Sequence, residues 1–590
     1  MESEAEPRRR WLAAPGTSQT YARRAGLLRF VFVLFGAVIL SRLVMLQAFD
    51  RDLYQALASG QHELFEQLFP TRGSIFAQDL KDKTVVTIAT NEQAGFVFAE
   101  PRNVKDPEGA AKKIGALLGY DEEKIADLWK RLSDTQDPYE AIAHRVPSDI
   151  VQKLKKFELS GVRTSLETVR LYPERTLGGH VLGFLGFDET GRQTGKYGIE
   201  GYFEEDLAGK MGFLKSERDI SGRIIALGER SFEPALDGSD VVLTIDRTIQ
   251  HVACQALQKA VKSYQADGGS VVIIDPMTGR VLAMCGAPDF DPNRYRETMD
   301  LDVFNNPAIF KAYEPGSIFK PITMAAALDS GAVLPSTTFE DTGAVEIDRF
   351  TIKNSDGAAN GLQTMTQALE KSLNTGMIFA MRKTGRSTFV DYVKRFGFGQ
   401  SAGIELETEV AGNISSLKSK GEIFSATASF GQGITVTPLQ MASAYAAIAN
   451  GGMLKQPHIV QEIRHPDGTA ERREPNDVRR VIETKSARLL GAMLIAVVEN
   501  GHGKRAGVPG YYIAGKTGTA QVAKKEGAGY EEGVNIGSFA GFGPAENPRF
   551  AMAVRIDNPH DVSWAETTAA PLFGEIAAFL LQYFEIPPTR

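Results

Sequence analysis

The chain has 590 residues, 43% of them hydrophobic and 24% charged, with a net charge of −7 and only two cysteines. That balance excludes a disordered chain, a disulfide framework and nucleic-acid binding as the main activity. At roughly 100–200 residues per domain, two to four domains are expected.

Residues 1–29 form a polar tail carrying Arg8, Arg9, Arg10, Arg23, Arg24 and Arg29. Residues 30–49, FVFVLFGAVILSRLVMLQAF, are long enough to cross a bilayer as one helix. The arginines before the run favour a cytoplasmic N-terminus. No small-x-small cleavage site follows the run, so it reads as an anchor and not a removed signal peptide. Arg42 inside it is costly unless it snorkels or meets a polar partner. With this topology, residues 50–590 lie outside the cytoplasmic membrane.

RDLYQALASGQHELFEQLF continues as a helix by pattern. PTRGSIFAQDL (70–80) reads as a turn, followed by the strand-like runs TVVTIAT and AGFVFAE. Residues 104–160 carry Lys, Glu and Leu at helical spacing, their charge forming a solvated face. Residues 178–212 are glycine-punctuated turns and short elements. A boundary falls near 231–240, so residues 50–235 are assigned to one domain and 236–590 to another. In the second, DVVLTID is a strand and RTIQHVACQALQKAVKSY an amphipathic helix. GGSVVIIDPMTGRVLAMCG is a hairpin around PMTG. SFAGFGP and RFAMAVRID are two strands near the end, and APLFGEIAAFLLQYF is a closing apolar helix. Strands at both ends of a helical middle predict an α+β domain, its antiparallel sheet flanked by helices on both sides. Cys254 and Cys285 are expected as two small buried hydrophobes, not as a disulfide. The eight histidines show no ligand spacing, so no metal and no cofactor are expected.

The chemistry concentrates in three segments. EPGSIFKP (314–321) places Ser317 and Lys320 three residues apart at a helix start, where such residues are neighbours. A serine nucleophile needs a base and a set of oxyanion donors. Lys320 serves as a base only when burial or a nearby cation strips its proton. KSLNTG offers Ser372 and Asn374, and YYIAGKTGTAQ is a strand-like run ending in Lys516, Thr517, Gly518 and Thr519. Two decoys are set aside. Ser415 and Lys418 lie in a polar loop with no helix start, and the KTG of Lys383–Gly385 reads as a helix stop.

SxxK, SxN and KTG in this order are the set known from penicillin-binding proteins and β-lactamases. The chain resembles a class B penicillin-binding protein, a monofunctional peptidoglycan transpeptidase, most like the septal type in its length, basic tail and lack of large insertions. TRGSIF resembles the family's RGxI element. RLYPERTLGGHVLGFLG with YGIEGYFEEDLAG resembles its pedestal signature, and GQGITVTPLQMASAYAAIANGG and APLFGEIA fit its catalytic domain. SIFAQDL departs from the Asp-Arg-Asn-Gly turn that relatives often carry.

The resemblance implies a serine β-lactamase-like transpeptidase domain on an elongated pedestal. It implies Ser317 as nucleophile toward a D-Ala-D-Ala pentapeptide stem and Lys320 as base. Ser372 relays protons, Asn374 binds the stem amide, and Lys516 matches the stem carboxylate. Thr517, Gly518 and Thr519 form the substrate strand, and the Ser317 and Thr519 backbone N–H groups form the oxyanion hole. An amine from a second stem is the acceptor, and β-lactams acylate Ser317. A polytopic glycan-polymerising glycosyltransferase and other division proteins are the implied partners. The alternatives are an elongation-type enzyme, a D,D-carboxypeptidase or β-lactamase, and a non-catalytic β-lactam sensor. The long pedestal, the intact motif set and the short tail weigh against the last two.

Overall fold

The computed structural model describes residues 30, 32–41, 63–217, 230–524, 529–560 and 564–590. The basic tail, Arg42 and the last part of the apolar run lie outside them. No helix among the described residues is long and apolar enough to cross a membrane.

The chain divides into two compact units. In the smaller, Glu63–Leu68, Gly212–Glu217 and Arg230–Glu233 form a three-stranded antiparallel sheet in that order. The helix expected from residue 51 onward therefore does not extend over 63–68. Pairing with a distant strand overrides the local helical pattern.

The larger unit holds residues 70–210 and 236–590. Here Ile75–Asp79, expected as a turn, is a strand. TVVTIAT and AGFVFAE are one strand, Thr84–Ala99. Its first part pairs with Ile75–Asp79, and from Thr90 it pairs with Val162–Leu171. Helices Pro107–Leu118, Glu122–Leu132 and Ser148–Lys155 fill most of the predicted helical stretch, with strand Glu140–Val146 interrupting it. The first two begin where the Asp106 and Asp121 carboxylates accept from Gly109 N and Lys124 N. Ile114, Leu128, Leu132, Val151 and Leu154 turn inward onto Val97, which leaves the charged residues to solvent.

The RGxI-like and pedestal-signature segments meet at one buried carboxylate. Glu200 is fully buried and accepts from Arg170 Nε at 2.7 Å, Arg72 Nε at 2.8 Å and the Tyr172 hydroxyl at 3.1 Å. Arg170 also donates to Gly73 O at 2.8 Å. Burial pushes the Glu200 carboxyl up, but Arg170 and Arg72 outweigh it and hold the group below its ordinary range.

A five-stranded sheet forms the heart of this unit. Its strands are β1 (Gly268–Ile274), β2 (Val281–Ala287), β3 (Ala514–Ala523), β4 (Tyr530–Gly543) and β5 (Phe550–Asp557). All neighbours are antiparallel, in the order β2-β1-β5-β4-β3, which makes β3 an edge. The main helices are α1 (Arg247–Ser263), α2 (Lys320–Asp329), α3 (Asn374–Thr384), α4 (Pro438–Ala449), α5 (Thr484–Asn500) and α6 (Ala569–Tyr583). Strand residues alternate between two cores, as a pleat requires. Val271, Ile273, Met552 and Val554 pack with α1 and α6. Val272, Ile274, Ala551 and Ala553 pack with α2, α4 and α5. The α+β reading, the hairpin and the closing helix all stand.

The cysteine expectation does not. Cys254 on α1 and Cys285 on β2 are joined by a disulfide, their Cα atoms 5.3 Å apart. The packing of α1 across β2 brings them together, and a separation of 31 residues in sequence gives no sign of it.

Candidate active site

Ser317 sits in a 3₁₀ turn, Gly316–Phe319, and Lys320 is the first residue of α2. The expected geometry, both residues in the first turn of one α-helix, is thus replaced by a tighter one. Residues three apart eclipse in a 3₁₀ turn, which keeps the two side chains on one face. The turn is held from several sides. Gly316 N donates to Gly431 O at 3.0 Å, and the Tyr445 hydroxyl of α4 donates to Ile318 O at 2.9 Å. The Glu314 carboxylate accepts from Gly433 N at 2.9 Å and from the Tyr530 hydroxyl at 3.1 Å. A Cβ on Gly431 would lie 2.1 Å from Gly316 O, so only glycine fits there. The sequence alone assigns GQGI to the catalytic domain without a role. Its glycines brace the nucleophile turn.

Lys320 is fully buried. Its Nζ donates to Ser372 O at 2.5 Å and to Ser372 Oγ at 3.1 Å. Burial first, and the charge of Lys516 second, push the ammonium well below the usual lysine range. A neutral amine has two N–H donors, and both are spent on Ser372. Its lone pair is left to accept a proton. Ser372 follows helix Met365–Glu370 with φ at +56°, a conformation costing on the order of 1 kcal/mol. Two residues on, Asn374 opens α3 and its Nδ2 donates to Lys353 O at 2.8 Å. That bond fixes the amide and leaves Oδ1 as its acceptor.

Strand β3 passes directly over the nucleophile turn. A Cβ on Gly518 would lie 2.9 Å from Pro315 O and 3.0 Å from Ile318 Cγ2. Gly316 would bring a Cβ to 3.0 Å from Thr519 O. Thr519 of β3 therefore lies against Gly316, the residue before Ser317. Lys516 is fully buried, with Nζ 3.2 Å from Thr517 O and 3.3 Å from Thr517 Oγ1. Burial pushes it down to about 7, against a smaller upward pull from Glu566. Thr519 Oγ1 accepts from Ala565 N at 3.2 Å. The outer edge of β3 has no partner strand among the described residues, a place where an extended peptide adds as a further strand.

The set-aside segments stay apart from this cluster. Ser415–Lys418 is itself a 3₁₀ turn and not a plain loop, but both side chains are exposed, so nothing buries the lysine. Lys383 lies in the last turn of α3 with its side chain exposed, and Gly385 caps that helix at φ +83°, the stop expected. Glu314, Tyr445, Tyr530 and Glu566 join the site from outside the three motifs. Only Glu314, adjacent to the PGS segment, carried a local signal.

Two family models match most of the chain. The penicillin binding protein transpeptidase domain family matches residues 269–578, and the penicillin-binding protein dimerisation domain family matches residues 67–243. The chain belongs to the class B penicillin-binding proteins. It is 34% identical to stage V sporulation protein D of Bacillus subtilis, over 95% of this chain and 86% of that one. It is 28% identical to peptidoglycan D,D-transpeptidase FtsI of Escherichia coli, over 94% and 90%. Among solved structures, penicillin-binding protein 3 of Mycobacterium tuberculosis, complexed with aztreonam, superposes with a TM-score of 0.68. It is 28% identical, covering 89% of this chain and 98% of that one. This penicillin-binding protein thus pairs a transpeptidase domain with the dimerisation-type domain of its family.

Proposed function

We propose that this penicillin-binding protein is a membrane-anchored, septal peptidoglycan D,D-transpeptidase acting through a serine acyl-enzyme. The observation that carries the reading is Lys320: buried, beside a second lysine, and with both amine hydrogens committed to Ser372. Its lone pair takes the Ser317 hydroxyl proton as Oγ attacks the carbonyl of the penultimate D-alanine. The Ser317 and Thr519 N–H groups hold the oxyanion. The peptide bond breaks, the leaving amine takes its proton through Ser372, and D-alanine departs. An amine of a second stem then attacks the ester, forming the cross-link and restoring Ser317. The donor stem lies along β3 with its amide on Asn374 and its carboxylate at Lys516, Thr517 and Thr519. A β-lactam enters the same path as a mimic of D-Ala-D-Ala. The mycobacterial structure bound to aztreonam supports this use of the site. Residues 30–49 anchor the chain with residues 1–29 in the cytoplasm, and the glycan strands come from a polytopic glycosyltransferase partner. No cofactor enters any step.

The deciding experiment supplies lipid-linked precursor, with and without that partner, and measures cross-linked product and released D-alanine. Cross-links with stoichiometric D-alanine release are expected. Release without cross-links would mean that water is the acceptor and the protein a carboxypeptidase.

The two lysines give a pH signature. Acylation by a β-lactam needs Lys320 neutral and Lys516 charged. Lys320 loses its proton well below the usual lysine range, whereas Lys516 discharges near pH 7. The second-order acylation rate is therefore expected to fall as pH rises above about 7. Lys516→Ala should slow acylation at least about tenfold, about 1.4 kcal/mol of barrier, and remove that falling limb. Lys383→Ala should change neither. A Lys516→Ala profile that keeps the limb would assign it to another group.

A further inference from the structure

A cavity of about 410 Å³ lies against α4, and none of the candidate catalytic residues lines it. Two of its buried polar atoms have no hydrogen-bond partner among the described residues. Ser443, in the middle of α4, is 7% exposed, and its Oγ has no hydrogen-bond partner among the described residues. Arg479 lies opposite Leu454 in the small sheet of Met453–Lys455 and Asp477–Arg480. Its Nε is shut off from solvent, and its guanidinium makes no hydrogen bond or ion pair among the described residues. A buried donor left unpaired is costly and calls for an explanation.

Gln400 and Ser401 face solvent, and the remaining polar groups of the wall are spent on neighbours. Gln440 Nε2 donates to Gln400 O at 2.7 Å and Ala411 O at 2.9 Å. Gln456 Nε2 donates to Gly403 O at 2.9 Å, and Asn476 Nδ2 to Gln456 Oε1 at 2.8 Å. The Lys455 ammonium is held by Asp477. What remains is a pre-set amide wall, one unopposed cation and one unused buried hydroxyl. Leu454 and Phe396 add an apolar side. The volume is in the range of small-molecule sites.

We propose that this cavity is a second ligand site, taking a small monocarboxylate that carries a further hydrogen-bonding group. The planar guanidinium of Arg479 matches a carboxylate fork, and Ser443 Oγ meets the second polar group. A single unopposed charge suits a monoanion better than a phosphate. Carboxylated amino sugars and short peptides both present this chemistry.

Calorimetric titration of the full-length chain separates the sources. The probes are N-acetylmuramic acid, N-acetyl-L-alanyl-L-alanine and, as the ring without a carboxylate, N-acetylglucosamine. At least one carboxylated probe is expected to bind, and the one that does identifies the source. N-acetylglucosamine should bind at least about tenfold more weakly. Arg479→Gln should weaken the carboxylated probe at least about tenfold, and Ser443→Ala about threefold or more. Neither substitution touches the candidate active site, and both variants should still be acylated by penicillin at the parent rate, which also reports that they fold. No binding of either carboxylated probe, equal binding of N-acetylglucosamine, or affinity unchanged in Arg479→Gln would overturn the proposal.

Discussion

Ser317→Ala abolishes covalent labelling by a fluorescent penicillin, and Lys320→Ala reduces its rate by about 10²–10⁴-fold, the usual contribution of a positioned base. The two effects differ in kind. Removing Oγ removes the atom that forms the ester, so no slower version of the same reaction remains. Removing the amine leaves the nucleophile in place on a turn still fastened through Gly316, Ile318 and Glu314. Folding of Ser317→Ala should match the parent, because the hydroxyl carries none of those bonds. Mass spectrometry of the labelled chain reads both results. Label found on Ser415, or retained by Ser317→Ala, would mean that the nucleophile has been misassigned.

Glu200→Gln lowers stability by about 3–5 kcal/mol, the usual consequence of removing one partner from a buried ion pair. The carboxylate is fully enclosed and faces two guanidiniums, Arg170 at 2.7 Å and Arg72 at 2.8 Å. An amide of the same shape leaves those charges uncompensated out of water. Glu100→Gln, facing Arg163 in an exposed pair, should leave the unfolding transition in place. The sign with pH follows from the lowered Glu200 carboxyl. Its stabilisation is complete above the unfolded value of about 4.3 and is lost as pH falls through the lower folded value. Denaturant unfolding of both variants at neutral and acid pH checks this. A Glu200→Gln loss under about 1 kcal/mol would show that the network holds without its central charge.

The sequence revealed the chemistry more readily than the contacts that position it. Ser317, Lys320 and Ser372 belong to short motifs whose spacing has a local meaning, and the structure brings Ser372 to Lys320. The α+β sheet was legible because β1 and β2 are apolar runs around a turn and α6 is strongly apolar. What stayed hidden depends on partners far away in the chain. Residues 63–68 look helical until Gly212–Glu217 pairs with them. Tyr445 is one more apolar position on an all-buried helix until its hydroxyl reaches Ile318. Cys254 and Cys285 lie on separate elements that pack face to face. Local pattern describes the face an element offers, not which element accepts it.

The bare-backbone contacts around Ser317 bear on how drug resistance evolves in this chain. Gly431 and Gly518 press against the nucleophile turn at distances where any added carbon collides with main chain. Rigid main chain cannot swing aside as a flexible side chain can. One-codon changes at these two positions therefore forfeit wall synthesis before they gain any discrimination against an antibiotic. Selection under β-lactams is steered outward, to residues that contact the inhibitor's larger substituents and leave the reacting backbone untouched. Clinical or laboratory escape variants should accordingly map to the rim of the cleft, with Gly431 and Gly518 unchanged among the survivors.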